Sequence, residues 1–150
     1  MRNDGVLDTL TALLHADPDV ADRDEIGTMI RSNAQIRGWV DAVDVRLTRR
    51  LRELQAEGKS EAAGMALTDE GRRSGKEAKA TENREQICAE FPALEDALAT
   101  GAVSSDHLDV LARLTRNLKK PPEWIEISHP LFLLNFLFDI GERVAFEKLL

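Results

Sequence analysis

Ser104, Ser105, Asp106 and His107 place the residue types of a hydrolytic triad in four consecutive positions: a hydroxyl nucleophile, a base and a carboxylate to orient it. Their spacing argues against that chemistry. Consecutive residues of a helix point about 100° apart, so side chains this close in sequence do not converge on one reacting atom. The same residues suit the start of a helix, with Ser104 as N-cap and Asp106 beside the positive end of the dipole. His107 then falls in the first turn, where it packs or hydrogen-bonds locally.

Metal and cofactor chemistry find little support either. The histidines His15, His107 and His129 are far apart. His15 and Asp19 have ligand spacing, but Pro18 interrupts any helix that would align them. There is no Cys-x-x-Cys pair, no His-Glu-x-x-His and no glycine-rich phosphate loop. No metal and no cofactor are expected. The single cysteine, Cys88, allows no internal disulfide, and its neighbours Gln86, Ile87 and Ala89 suit a small buried apolar residue in a helix. A lone thiol fits a reducing cytoplasm. On these grounds the chain is not expected to be an enzyme.

The remaining chemistry is cationic. Net charge is −7, yet Arg31 to Ser60 holds seven Arg or Lys against four Asp or Glu. Arg46, Arg49 and Arg50 fall on one helical face, with Arg52 close by and Arg37 two turns earlier. Such a stripe can follow a phosphate backbone, which makes Arg37, Arg46, Arg49 and Arg50 candidates for a local DNA-binding face. The plainer explanation, which leads, is a solvated face paired with Asp41, Asp44 and Glu53. Arg113, Arg116, Lys119 and Lys120 form a second cluster where cations favour a helix C-terminus.

These residues must be positioned by helices. With 150 residues, 43% of them hydrophobic and 31% charged, the chain has the composition of one globular domain. Leu7, Leu10, Leu13 and Leu14 recur at helical spacing before Pro18. Ile26, Met29, Ile30, Ile36, Trp39, Val40, Val43, Leu47, Leu51 and Leu54 then recur at steps of mostly three and four. They define one long helix, about 25–57, stopping near Gly58. Gly38 inside it costs about 1 kcal/mol against alanine, which points to a closely packed neighbour or a bend.

Glu61 to Thr68 has no decided structure. Ser74 and Glu77 have capping-box spacing, so a helix is expected from Gly75 to Glu90. Its apolar stripe of Ala78, Ile87 and Cys88, with Phe91 just beyond, is thin, which places it at the rim of the core. Pro92 suits the first turn of a further short helix, Gly101 its left-handed cap, and Ser104 the next N-cap. The expected fold class is all-α, an irregular multi-helix bundle with one long helix and several short ones. Residues 1–118 form its helical domain.

Residues 119–150 differ in composition. Lys119, Lys120, Pro121 and Pro122 form a breaker, and four of the five phenylalanines follow, at Phe132, Phe136, Phe138 and Phe146. This Phe-rich tail is expected to be helical and packed on the same core, or else to cover a partner. Its apolar run, Leu131 to Phe138, is far short of the roughly 20 residues of a membrane span. The N-terminal MRNDGVLDTL lacks the basic and apolar regions of a secretory signal. No membrane partner and a cytoplasmic location are expected.

Trp39–Leu54 (WVDAVDVRLTRRLREL), then RRSGKEAKATENREQI, then FPALEDALATGAVSSDHLDVLARL resemble the N-terminal helical domain of HNH endonuclease-like proteins. That domain is domain-of-unknown-function family 222, common in actinobacteria. The resemblance covers residues 30–118 and is most specific at Pro92, Gly101, Ser104 and His107, carried over as a structural motif. Relatives continue into a metal-binding HNH nuclease domain. His129 with Asn135 does not reproduce that motif, so no catalytic residue is carried over.

The resemblance implies a non-catalytic helical module associated with nucleic acid. The alternatives are a homo-oligomerisation or protein-interaction domain, using the long helix or the Phe-rich tail, and a truncated remnant of a nuclease.

Overall fold

The computed structural model describes residues 4–117, which form six α-helices and, among the described residues, no strand. The Phe-rich tail, its expected helix and packing, His129, Lys119 and Lys120 lie outside the described residues. The helices are α1 (Asp4–Leu14), α2 (Arg23–Ala56), α3 (Ala63–Asp69), α4 (Gly75–Glu90), α5 (Ala93–Ala99) and α6 (Ser105–Asn117).

α2 is 34 residues long, about 51 Å at 1.5 Å per residue. It opens on a capping box that the pattern Asp22-x-x-Glu25 encodes. Asp22 Oδ1 accepts from the amides of Asp24 and Glu25 at 2.9 Å, and Glu25 Oε2 accepts from the Asp22 amide at 2.9 Å. It closes at Gly58, whose φ of +71° lets the Lys59 amide reach back to the Leu54 carbonyl at 2.8 Å.

α5 ends by the same device. Gly101 has φ +75°, the Ala102 amide donates to the Ala97 carbonyl at 2.9 Å, and the Gly101 amide donates to the Leu98 carbonyl at 3.0 Å.

The core gathers Ala42 and Val45 of α2, Ile87 and Cys88 of α4, Leu94, Ala97 and Leu98 of α5, Val103, and Leu108, Leu111 and Ala112 of α6. Leu94, Leu98 and Leu108 are fully enclosed, each contributing about 2 kcal/mol of apolar burial. Burial presses the Cys88 thiol pKa up to about 12, the behaviour of a packed apolar group.

Two expectations need correction. α4 is not at the rim: it packs against α2, α3, α5 and α6, burying Ala78, Thr81, Arg84, Glu85, Ile87 and Cys88. Its stripe reads as thin because half of what it buries is polar and satisfied by partners. The Ser74 capping box is only half formed. Ser74 Oγ accepts from the Glu77 amide at 3.2 Å, but the Glu77 carboxylate accepts from Arg84 at 2.9 Å instead of returning to the cap.

The structure also shows which side of α2 faces inward. Its buried residues are Gly38, Ala42, Val45 and Thr48, not the large apolar series that marks it as a helix. Small residues win this face because α5 approaches it closely. A Cβ on Gly38 would lie 2.4 Å from the Leu98 carbonyl oxygen.

Candidate functional site

The turn between α5 and α6 brings Ser104 and His107 together. Ser104 lies just before the helix, so its hydroxyl is not bound by helical spacing, and Oγ sits 3.0 Å from His107 Nδ1. The same Nδ1 accepts from the Ser104 backbone amide at 3.0 Å, which requires its lone pair and leaves the neutral ring's proton on Nε2. His107 thus takes the place of the glutamate in a capping box. Ser104 is at the cap position, but its hydroxyl meets the ring, where an amide was expected. Pro92 opens α5 as its cap residue and Gly101 terminates it.

The arginines of α2 sort into three environments. Arg46 Nε and Arg49 Nη2 both donate to Glu95 of α5, the latter at 2.7 Å, and Arg52 donates to Glu85 of α4. Arg49 Nε also stands 3.6 Å from Glu85. Burial pushes the Glu95 carboxyl upward, but the hydrogen bonds from Arg46 and Arg49 outweigh it and hold the group below its ordinary range. The hydrogen bond to Glu95 in turn raises Arg49. Arg50 pairs with Glu53 at 2.8 Å on the exposed side, as expected, and Arg37 is exposed. Asp41 and Asp44 are not the partners of Arg46 and Arg49; two carboxylates from other helices are.

A second polar cluster lies where α2, α4 and α6 meet. Arg84 forks onto Asp109, with Nε and Nη2 each 2.7 Å from a carboxylate oxygen, and reaches Glu77 at 2.9 Å. Arg73 bridges Asp44 and the Thr81 hydroxyl. Asp41 stands among these groups. Burial raises its pKa against the hydrogen bond from Ser105 and the charges of Arg84 and Arg73. Arg84 keeps its charge because Asp109 and Glu77 offset the burial that opposes it.

These roles were missed at the level of sequence. Arg84 and Glu85 carry no local signal, because their partners Asp109 and Arg52 lie 25 and 33 residues away. Glu95 had one available signal, its place in the first turn of a proline-led helix facing a basic stripe.

Two further surfaces stand out. A cleft of about 530 Å³ between α1 and the start of α2 is lined by Leu13, His15, Ala16, Val20, Met29 and the acids Asp17, Asp24 and Glu25, among others. Along α2, Val40 and Leu47, on the side turned from the core, are 45% and 55% exposed, and Ile26 and Ile30, near its N-terminal end, are 38% and 64% exposed.

Among the described residues no three or more His, Cys, Asp or Glu side chains gather as a metal would need. No described helix is long and apolar enough to cross a membrane. No protein-family model, curated protein or solved structure matches the chain.

Proposed function

We propose that this chain is a non-catalytic helical module that works by binding a protein along the outer face of α2. One observation carries the proposal. α2 turns its small residues inward and leaves Val40 and Leu47 exposed two turns apart on the opposite side, and large apolar side chains left in solvent on one face mark interaction sites. The polar clusters support it as scaffolding: they cross-brace α2 to α4 and α5.

The test pairs Val40→Glu with Leu47→Glu. On an outer face the double variant keeps its stability within about 1 kcal/mol of the parent and loses association. A loss of about 3 kcal/mol or more would place these residues inside the folded chain and remove the proposal.

Kinship with the helical region of HNH endonuclease-like proteins, and a cytoplasmic setting, belong to the same proposal. The Pro92, Gly101, Ser104 and His107 turn supports the first and the buried Cys88 thiol the second. A nucleic-acid-associated role is the second reading, favoured by the exposure of Arg37 and Arg50. Arg46 and Arg49 already have carboxylate partners, which weakens their claim on phosphate. A salt-dependent DNA titration of the parent and an Arg37→Ala/Arg50→Ala variant tests it. Equal, negligible binding by both would remove it.

A further inference from the structure

Resting on that protein-binding proposal, we infer that α1 is a displaceable cover on α2: it lifts away while the rest of the fold stays closed, and its departure extends the outer face from Val40 and Leu47 back to Met29. α1 packs chiefly against α2, and no residue from Gly5 to Arg37 is buried. The core cluster lies beyond that stretch, in α2 from Ala42 onward and in α4, α5, Val103 and α6. No core side chain therefore depends on α1 staying in place.

The contact itself is lightly built. The least exposed side chains of α1, Val6, Thr9 and Leu13, recur at i, i+3 and i+7 and are only half-buried, while Leu7, Leu10 and Leu14 stay exposed. The cleft of about 530 Å³ between the two helices leaves their surfaces short of the density of an interior. α1 has 11 residues, too few to hold a helix in water by itself, so it loses its hydrogen bonds when it leaves α2.

What α1 covers is continuous with the proposed binding face. At 100° per residue Met29, Ile36, Val40, Val43 and Leu47 fall within about 60° of arc, about 170° from the centre of Gly38, Ala42, Val45 and Thr48. Met29 and Ser32 line the cleft with Leu13 and Ala16 and are half-buried, whereas Val40 and Leu47, farther along the helix, are exposed. A partner lying along this arc meets α1 at Met29. Its binding and the docking of α1 compete for one surface, so each weakens the other.

Native-state hydrogen exchange and limited peroxide oxidation of the full chain test the cover without a partner. The amides of Asp8 to Leu14 should exchange about 100-fold or more faster than those of Ala78 to Cys88, because opening α1 does not open the core. Met29 should oxidise about fivefold more slowly than the exposed Met65. Leu13→Glu should bring Met29 to the Met65 rate and leave the exchange of Ala78 to Cys88 within about twofold of the parent.

α1 amides that exchange no faster than those of α4, or a Leu13→Glu chain in which α4 loses protection together with α1, would make α1 part of one cooperative fold and overturn the inference. Met29 oxidising as fast as Met65 in the parent would also overturn it, since α1 would then cover nothing there. None of these results moves Val40 and Leu47 from the outer face. A destabilised Val40→Glu/Leu47→Glu chain instead removes the binding face while the exchange of α1 stays as expected, so the two failures are told apart.

Discussion

Gly38 of α2 and Gly101 after α5 meet backbone to backbone: a Cβ on Gly38 would lie 3.2 Å from Gly101 Cα, and a Cβ on Gly101 would lie 3.0 Å from Gln35 Cα. This contact brings the end of α5 against α2 and sets how closely Leu98 can enter the core.

Gly38→Ala is therefore expected to cost about 2–3 kcal/mol, as overpacking against a fixed carbonyl does, and not to return the roughly 1 kcal/mol that helix propensity alone would give. Gly101→Ala adds a strained backbone to a tight contact. Gly58 provides the control, since it shares the positive φ and an added Cβ there would meet nothing within 4 Å. Gly58→Ala should cost about 1 kcal/mol and Gly101→Ala about 1–2 kcal/mol more, measured by urea denaturation.

The sequence made the helix ends legible and left the packing of α2 hidden. Gly75 to Glu90, the glycine stop at Gly101 and the long central helix follow from caps and periodicity that act locally. Periodicity shows that α2 is amphipathic, but it does not say which neighbour arrives. Gly38 and Ala42 carry almost no hydrophobic signal, yet they form the buried face because they permit close approach. Arg84 illustrates a similar loss at the polar clusters. A charged residue in a polar helix reads as solvated, and nothing local announces that Asp109 will cover it.

Arg84→Ala should destabilise the fold by about 3 kcal/mol, because it leaves Asp109 and Glu77 without their shared cation in a partly buried site. Arg50→Ala should leave the unfolding transition where the parent has it, since Arg50 and its partners Glu53 and Glu57 are exposed and screened. Thermal unfolding of the two variants checks the contrast.

Acid stability should depend on Glu95 and Asp41 with opposite signs. Glu95 sits below its ordinary value of 4.5, so its contribution is complete above that pH and is lost as pH falls through the folded value. Asp41 sits above its ordinary value of 3.8, so ionising it opposes the fold, and the penalty disappears as pH falls. Glu95→Gln should thus be destabilised at pH 7 and match the parent in strong acid. Asp41→Asn should be more stable than the parent at pH 7, with the difference closing below about pH 3.8. Denaturation midpoints across pH 2–7 on both variants measure this.

Cys88 should resist thiol reagents in the folded chain. With its pKa pushed up to about 12, the thiolate is on the order of 10⁻⁴ of the population at pH 8, and burial blocks access as well. Labelling should appear only with unfolding, so its rate against denaturant reports the opening of α4.

The outward placement of Val40 and Leu47 on α2, which carries the proposed function, is tested most directly by urea denaturation of Val40→Glu/Leu47→Glu. The double variant is expected to stay within about 1 kcal/mol of the parent. A loss of about 3 kcal/mol or more would contradict it.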